Sequence, residues 1–395
     1  MTATQVGARP ALVPLIGISM LCNIVTVVFA RLAYGLLLPG MQETLGLSFT
    51  QAAVLGTVTA LGYLSLVLPA GLFAARFGAR HAILLGSGCA IAGFAGLSLA
   101  SSFALLIVLM LCLGAATAFS YTPLISLLGA WYPERRGTVI GLANSGVGAG
   151  MFLTGALLPL LTERPDGWRQ AWLLFALIAI ASAALAWRLL QNPPRMPKPE
   201  NPNIRSSNLG MALHNPHVRQ VAWIYGIVGI TYILQSLFMY SFALEVGISA
   251  SAAGRLVALM GVLSIFSSPT WGWAADRIGH DRALIICLGL GAVGTLLPVL
   301  WPVYPAFLLH YFVLGASTTG QFTSILATAT RTVSREQAAV TISFITLFFA
   351  AGQLLGPSLG GLLLEKTHNF PLMFGLSSAL IALGTLLSWR SGHSA

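Results

Sequence analysis

GWAADRIGHDR, residues 272–282, joins two long apolar runs, and GLFAARFGARH, residues 71–81, joins two others. Gly71, Arg76 and Gly78 of the earlier stretch return 201 residues later as Gly272, Arg277 and Gly279. Outward from these loops the match continues. LGAAT, Leu113 to Thr117, returns at the same offset as LGAST, Leu314 to Thr318. Gly146, Gly150 and Gly155 return at an offset of 206 as Gly352, Gly356 and Gly361. Matches at nearly one offset, in equivalent runs, imply a duplicated chain with its site between the two copies, near mid-depth of a bilayer.

Composition says which solvent the copies face. Of 395 residues, 56% are hydrophobic and 8% charged, with a mean hydropathy of +0.84. Soluble domains carry roughly 25% charged residues. Apolar runs fall at 12–38, 49–75, 82–100, 103–130, 138–161 and 170–190, then at 217–244, 251–275, 283–301, 305–330, 338–364 and 371–389. Each is long enough to cross as a helix, which needs about 20 residues and satisfies its own backbone. The expected fold is therefore all-α: twelve transmembrane helices in two pseudo-symmetric six-helix bundles, residues 1–190 and 217–395. QNPPRMPKPENPNIRSSNLGMALHNP, residues 191–216, has five prolines in its first twelve positions and reads as a polar linker.

Charge orients the bundle. Fifteen Arg and Lys fall in the loops on the side of the termini and linker. Four, Arg164, Arg169, Arg255 and Lys366, fall on the other side. The positive-inside rule then places both termini and the linker in the cytoplasm, in a bacterial inner membrane. The net charge of +10 is spread between apolar runs rather than gathered in a basic domain, so no nucleic-acid partner is expected. The four cysteines sit singly in apolar runs without C-x-x-C spacing, which leaves no zinc site or disulfide framework. The first apolar run is too long for a signal-peptide core and contains Arg31.

GWAADRIGHDR resembles the G-x-x-x-D-R-x-G-R-R loop of the major facilitator superfamily, which lies between helices 2 and 3 and often recurs between helices 8 and 9. Here the second copy keeps Asp276, Arg277, Gly279 and Arg282, while the first has Ala75 in place of the acid. The resemblance implies a gating loop, Gly71, Arg76, Gly78, Gly272, Asp276, Arg277, Gly279 and Arg282, that latches the cytoplasmic ends. With Ala75 unable to pair, the latch is expected on Asp276, with Arg331 or Arg335 as partner. FARLAYGLLLPG (29–40), AWYPERRGTVIG (130–141) and FFAAGQLLGPSLGG (348–361) resemble the bacterial YbfB/YjiJ-like subgroup. There is also a weaker resemblance to monocarboxylate and oxalate–formate carriers. In span 8, however, Ser264 and Ser268 stand where monocarboxylate carriers have an Asp and an Arg. Proton-coupled drug antiporters carry an Arg where this chain has Met110, and their G-x-x-x-G-P-x-x-G-G lies in helix 5. Here that pattern, Gly352, Gly356, Pro357, Gly360 and Gly361, lies in span 11, where helix packing and a proline bend are the reading.

The membrane interior holds few ionisable groups. All ten acids lie in loops or at span ends. Arg31 is the one Arg well inside a span, and an Arg near a helix centre costs about 2.5–3.5 kcal/mol. If span 1 ends near Pro39, Arg31 lies roughly 12 Å below that end. Two readings stand: it binds a substrate anion, or it snorkels to the interface or caps carbonyls of a neighbouring helix. At 100° per residue Asn23 and Tyr34 fall near its face. Other central polar groups are Thr117, Ser120 and Tyr121 in span 4, Tyr232 and Gln235 in span 7, and Thr318 and Gln321 in span 10. In the superfamily helices 1, 4, 7 and 10 line the cavity, so Arg31, Asn23, Tyr34, Tyr121, Tyr232, Gln235 and Gln321 are the candidate substrate-binding residues. Inter-helix hydrogen bonding is the competing fate of each. His310, the one histidine inside a span, reads as interfacial because its span begins at Tyr304 and Pro305.

A secondary transporter of a small anionic or polar organic solute is the leading expectation, working as a monomer, without metal or other cofactor, with a proton as candidate coupling ion. The alternatives are proton-coupled efflux of drugs or amphiphiles, and a non-transporting sensor, which would be expected to carry a soluble domain or long tail. An ATP-driven pump needs G-x-x-x-x-G-K-[ST], which the only lysines, Lys198 and Lys366, do not allow. A membrane enzyme needs convergent acids, metal ligands or a nucleophile with its base, and the spans supply none.

Overall fold

A computed structural model describes residues 10–162, 164, 166–193, 215–331, 333 and 335–393. Most of the linker expected over 191–216 lies outside the described residues. The described ones form twelve long helical rods. The first, α1, has three parts: an α-helix Leu12–Asn23, a π-helix Ile24–Leu32 and an α-helix Tyr34–Leu45. The others are α2 (Phe49–Phe77), α3 (Ala79–Leu99), α4 (Phe103–Trp131), α5 (Arg136–Thr162), α6 (Gly167–Leu189), α7 (Pro216–Glu245), α8 (Ala250–Ile278), α9 (His280–Leu300), α10 (Tyr304–Thr330), α11 (Arg335–Thr367) and α12 (Phe370–His393). Eleven contain a stretch long and apolar enough to cross a membrane. The exception, α10, is 27 residues long, but His310, Gln321 and a run of Ser and Thr dilute its hydropathy.

Packing repeats with the sequence. Contacts α1–α5, α2–α4, α3–α4 and α3–α6 return as α7–α11, α8–α10, α9–α10 and α9–α12. The repeated glycines explain the register. A Cβ on Gly146 would meet the Met20 carbonyl oxygen of α1 at 2.6 Å, and one on Gly352 would collide with the Gly226 carbonyl oxygen of α7. Small residues let helix backbones touch where lipid offers no hydrophobic drive to associate.

The halves meet through α1–α7, α2–α11 and α5–α8, pairings that the internal two-fold exchanges. With the arginine-rich loops taken as the basic side, these contacts run from mid-depth to the far side. Gly35 of α1 abuts the Ser236 carbonyl of α7, and Gly155 of α5 abuts Gly254 and Ala258 of α8. Thr57 of α2 hydrogen-bonds Ser358 of α11 at 3.0 Å. The Glu365 carboxylate of α11 accepts from the Thr50 amide in the first turn of α2 at 3.1 Å. The bundle is closed on the far side, and the halves part toward the basic side.

The two loop motifs are tight turns. Gly78 and Gly279 take φ of 99° and 90°, a region L side chains rarely enter, and pass each chain straight into the next helix. Arg76 lies over Phe77 and Arg277 over Trp273, so each loop arginine has a cation–π contact, though with rings at non-equivalent positions. Arg331, one of the two expected latch partners, pairs with Asp281 of the same half. The side chain of Asp276 and that of Arg335 lie outside the described residues. On the first copy Arg80 donates through its amide to Asn192 at 2.8 Å and through its guanidinium to the Trp187 carbonyl, tying the loop to the end of α6.

Candidate functional site

Arg31 owes its place to the backbone of α1. The rod does not stop near Pro39; it runs to Leu45, fourteen residues beyond Arg31 and so about 21 Å along the axis. Arg31 is thus farther from the end of its helix than an end at Pro39 implied, and its guanidinium is taken up by a neighbouring helix. It closes the π segment, where the Ala33 amide bonds the Val28 carbonyl five residues back. Such segments leave carbonyls that neighbours must satisfy. The Thr117 hydroxyl of α4 does so, donating to the Thr26 carbonyl at 2.6 Å.

The widened turn also breaks the expected polar stripe. Arg31 and Tyr34 share a small pocket and both reach α2, while Asn23 turns to α5. Asn23 is fully buried and donates to the Ala143 carbonyl of α5 at 2.9 Å. The Tyr34 hydroxyl donates to the Ala52 carbonyl of α2 at 2.9 Å. Arg31 donates through Nη2 to Gln353 Oε1 of α11 at 3.0 Å, a bond between the halves. Its Cζ lies 5.1 Å from the ring centroid of Tyr63 on α2, and Tyr232 of α7 is its other neighbour. No carboxylate faces it among the described residues. Sequence reasoning missed Gln353 and Tyr63. Gln353 had a signal, since an amide in an apolar span must find a partner, but a partner 322 residues away has none.

A cavity of about 600 Å³, its open mouth included, lies beside this cluster between the halves. Leu32 and Leu36 of α1, Met151 and Thr154 of α5, and Met260 of α8 form one wall. Tyr232, Gln235 and Ser236 of α7 and His310, Tyr311 and Thr318 of α10 form the other. A smaller pocket holding Arg31, Tyr34 and Thr59 shares Ser236 with it. Structure therefore puts Arg31 with Tyr34 in the smaller pocket and Tyr232 with Gln235 in the larger, with Tyr232 also a neighbour of Arg31. Tyr121 of α4 stands near Tyr63 and Asn144 in the gap. Gln321 turns away: its amide donates to the Cys287 carbonyl of α9 at 3.0 Å. Ser120 points toward the Ile83 carbonyl of α3 at 3.5 Å.

His310 lies six residues into α10, which begins at Tyr304. It is fully buried and touches the cavity. Nδ1 lies 2.9 Å from the Gly294 carbonyl, which only accepts, so Nδ1 carries the proton and Nε2 is left as an acceptor without a partner.

Comparison with known proteins agrees with this architecture. Residues 23–389 match the family described as "Uncharacterised MFS-type transporter YbfB". The chain is 27% identical over 345 residues to monocarboxylate transporter 12-B of Danio rerio, covering 78% of this chain and 72% of that one. It is 27% identical over 374 residues to human monocarboxylate transporter 11, covering 89% and 77%. Among solved structures it resembles a point mutant of the nucleoside transporter NupG, with a TM-score of 0.82, 10% identity and coverage of 96% and 99%. It also resembles a bacterial homologue of the human lysosomal transporter Spinster, inward-facing and unoccupied, with a TM-score of 0.78, 17% identity and coverage of 97% and 96%. These two likenesses concern the fold. The chain is a multi-pass membrane protein of the major facilitator superfamily and belongs to its YbfB group of transporters.

Proposed function

We propose that this transporter moves a small organic anion by alternating access, with Arg31 as the anion's receptor. The observation that carries the reading is a guanidinium at mid-depth, partly buried, held by a neutral amide and two tyrosine rings and faced by no carboxylate among the described residues. Such a charge is costly in a membrane unless something anionic arrives to use it. The guanidinium fork suits a carboxylate, and a charge-assisted bond to an anion is stronger than the one to the neutral amide of Gln353. A bound carboxylate would compete with Gln353 for Arg31. That would loosen the Arg31–Gln353 bond between α1 and α11, and so link occupancy to the relative position of the halves. With the basic side in the cytoplasm, the conformation described is inward-facing. The monocarboxylate transporters among the relatives suit the same substrate class, although the Arg their family places in span 8 is Ser268 here.

Uptake of labelled monocarboxylates into liposomes holding the purified protein tests this. Arg31→Ala should lower anion affinity at least about 10-fold, since hydrogen bonds to charged groups contribute about 1.5–3 kcal/mol. Arg31→Lys should retain part of it, through charge without the fork. Tight binding of a lipophilic cation, unchanged by Arg31→Ala and unaccompanied by anion binding, would sink the reading.

A further inference from the structure

The rings on the basic side of Arg31 narrow the anion's chemistry. Phe349 precedes Gln353 by one turn of α11, and Tyr225 precedes Tyr232 by two turns of α7, so both lie toward the open side on the faces that carry the Arg31 contacts. Tyr225 stacks on Phe349 at 4.5 Å between centroids. Phe322 of α10 meets Phe349 edge to face at 5.6 Å and Tyr232 at 5.5 Å. Four rings from three helices thus form one continuous wall in the second half. The first half answers with Tyr63, whose ring centroid is 5.1 Å from Arg31 Cζ, and with Tyr121, and both are close enough to Tyr225 to act on it electrostatically. Apart from Tyr225, these rings are partly exposed. Lipid is not what they face, since the wall adjoins Arg31 and looks onto the opposite half.

We propose that the gap between the halves takes an aromatic carboxylate, its carboxylate on Arg31 and its flat ring between the Tyr63–Tyr121 side and the Tyr225–Tyr232–Phe349 side. The proposal rests on the anion reading of Arg31 and adds the class of molecule. Ring pairs at 4.5–7 Å, offset or edge to face, contribute beyond the area they bury, because a positive ring edge meets a negative ring face. A saturated ring of similar size buries the same area but lacks that term. An aliphatic acid lacks both.

Four probes separate the parts: benzoate, cyclohexanecarboxylate, propionate and neutral benzamide, titrated calorimetrically into the purified full-length protein. Benzoate should bind about 2- to 10-fold more tightly than cyclohexanecarboxylate, the range of one ring pair. Propionate should bind more weakly than either. Phe349→Leu, which keeps apolar bulk and removes a ring, should lower the ratio of benzoate to cyclohexanecarboxylate affinity. Phe322→Leu serves the same purpose if the first variant does not fold. Equal affinities for benzoate and cyclohexanecarboxylate, with both lost in Arg31→Ala, would overturn the aromatic proposal and leave the anion reading standing. Benzamide binding as tightly as benzoate, with Arg31→Ala without effect, would overturn the anion reading and the carboxylate half of this proposal with it. Absence of binding by all four to folded wild-type protein overturns both.

Discussion

Arg31 and His310 are polar groups set into an apolar medium, each with part of its bonding capacity spare. Arg31 has five N–H donors, and one structural bond, to Gln353, is described for it. His310 has its proton fixed on Nδ1 by Gly294, leaving an unpartnered acceptor at the cavity wall. Such a group costs about 1–3 kcal/mol while it lacks a partner. His310→Phe keeps a planar ring, removes the unpartnered Nε2 and also removes the Nδ1–H bond to the Gly294 carbonyl, so the two effects oppose and thermal stability in detergent should change little. A large fall in melting temperature would mean that the bond to Gly294 outweighs the relief of Nε2. Asp281 is a third case: Oδ2 pairs with Arg331 while Oδ1 is buried without a partner, in an ion pair with 41% of the Arg331 side chain and 16% of the Asp281 side chain exposed. Screening limits its value, so Asp281→Asn should cost about 0.2–1 kcal/mol. A double-mutant cycle with Arg331→Gln should return a coupling of that size, and a coupling of zero would mean that the contact is incidental.

At the level of elements, the far-side closure is built from backbone approach rather than from interlocking side chains. A Cβ at Gly35 would collide with the Ser236 carbonyl oxygen, and one at Gly254 would collide with that of Gly155. Backbone cannot swing aside as a flexible side chain can. Gly35→Ala should therefore force α1 and α7 apart on the far side and favour the opposite-facing state. Spin labels at the far ends of α1 and α7 should report longer distances than in the parent protein; an unchanged distribution would mean that the helices relax locally instead. The same closure places the Glu365 carboxylate on the first turn of α2, where the positive end of the helix attracts an anion. Glu365→Gln should weaken this cap and shift the population in the same direction.

For the whole molecule, the internal two-fold makes the three inter-half pairings a self-consistent set, so closure on one side goes with separation on the other. Which side is the cytoplasm is a prediction from the charges. If the basic side is inside, cysteines placed at Arg282 in a background without native cysteines should resist an impermeant thiol reagent added to intact cells, and cysteines placed at Glu43 should react. Labelling at Arg282 alone would reverse the topology and turn the inward-facing assignment into an outward-facing one.

Transport was read from the resemblance carried by GWAADRIGHDR. Hydropathy, charge placement and the internal repeat were enough to read twelve helices and a two-fold arrangement. Each depends on solvent preference or on small residues at fixed spacing, and both are written locally along the chain. Arg31 was legible for the same reason: a charge in an apolar run stands out wherever its side chain points. What Arg31 touches was not legible. The 100° rule places Asn23 and Tyr34 beside it; Tyr34 does share its pocket, but Asn23, across a nine-residue π segment invisible in the hydropathy pattern, turns to α5. Helix termini were blurred where flanking residues are polar or proline, so the part of α1 beyond Leu38 went unread and Arg31 looked nearer the end of its helix than it is. Gln353, Tyr63 and the ring wall lie far apart along the chain, and nothing local shows that His310 is buried against Gly294. These partners are chosen by how rigid helices pack across the two-fold, a property of the assembled bundle that no single stretch of the chain encodes.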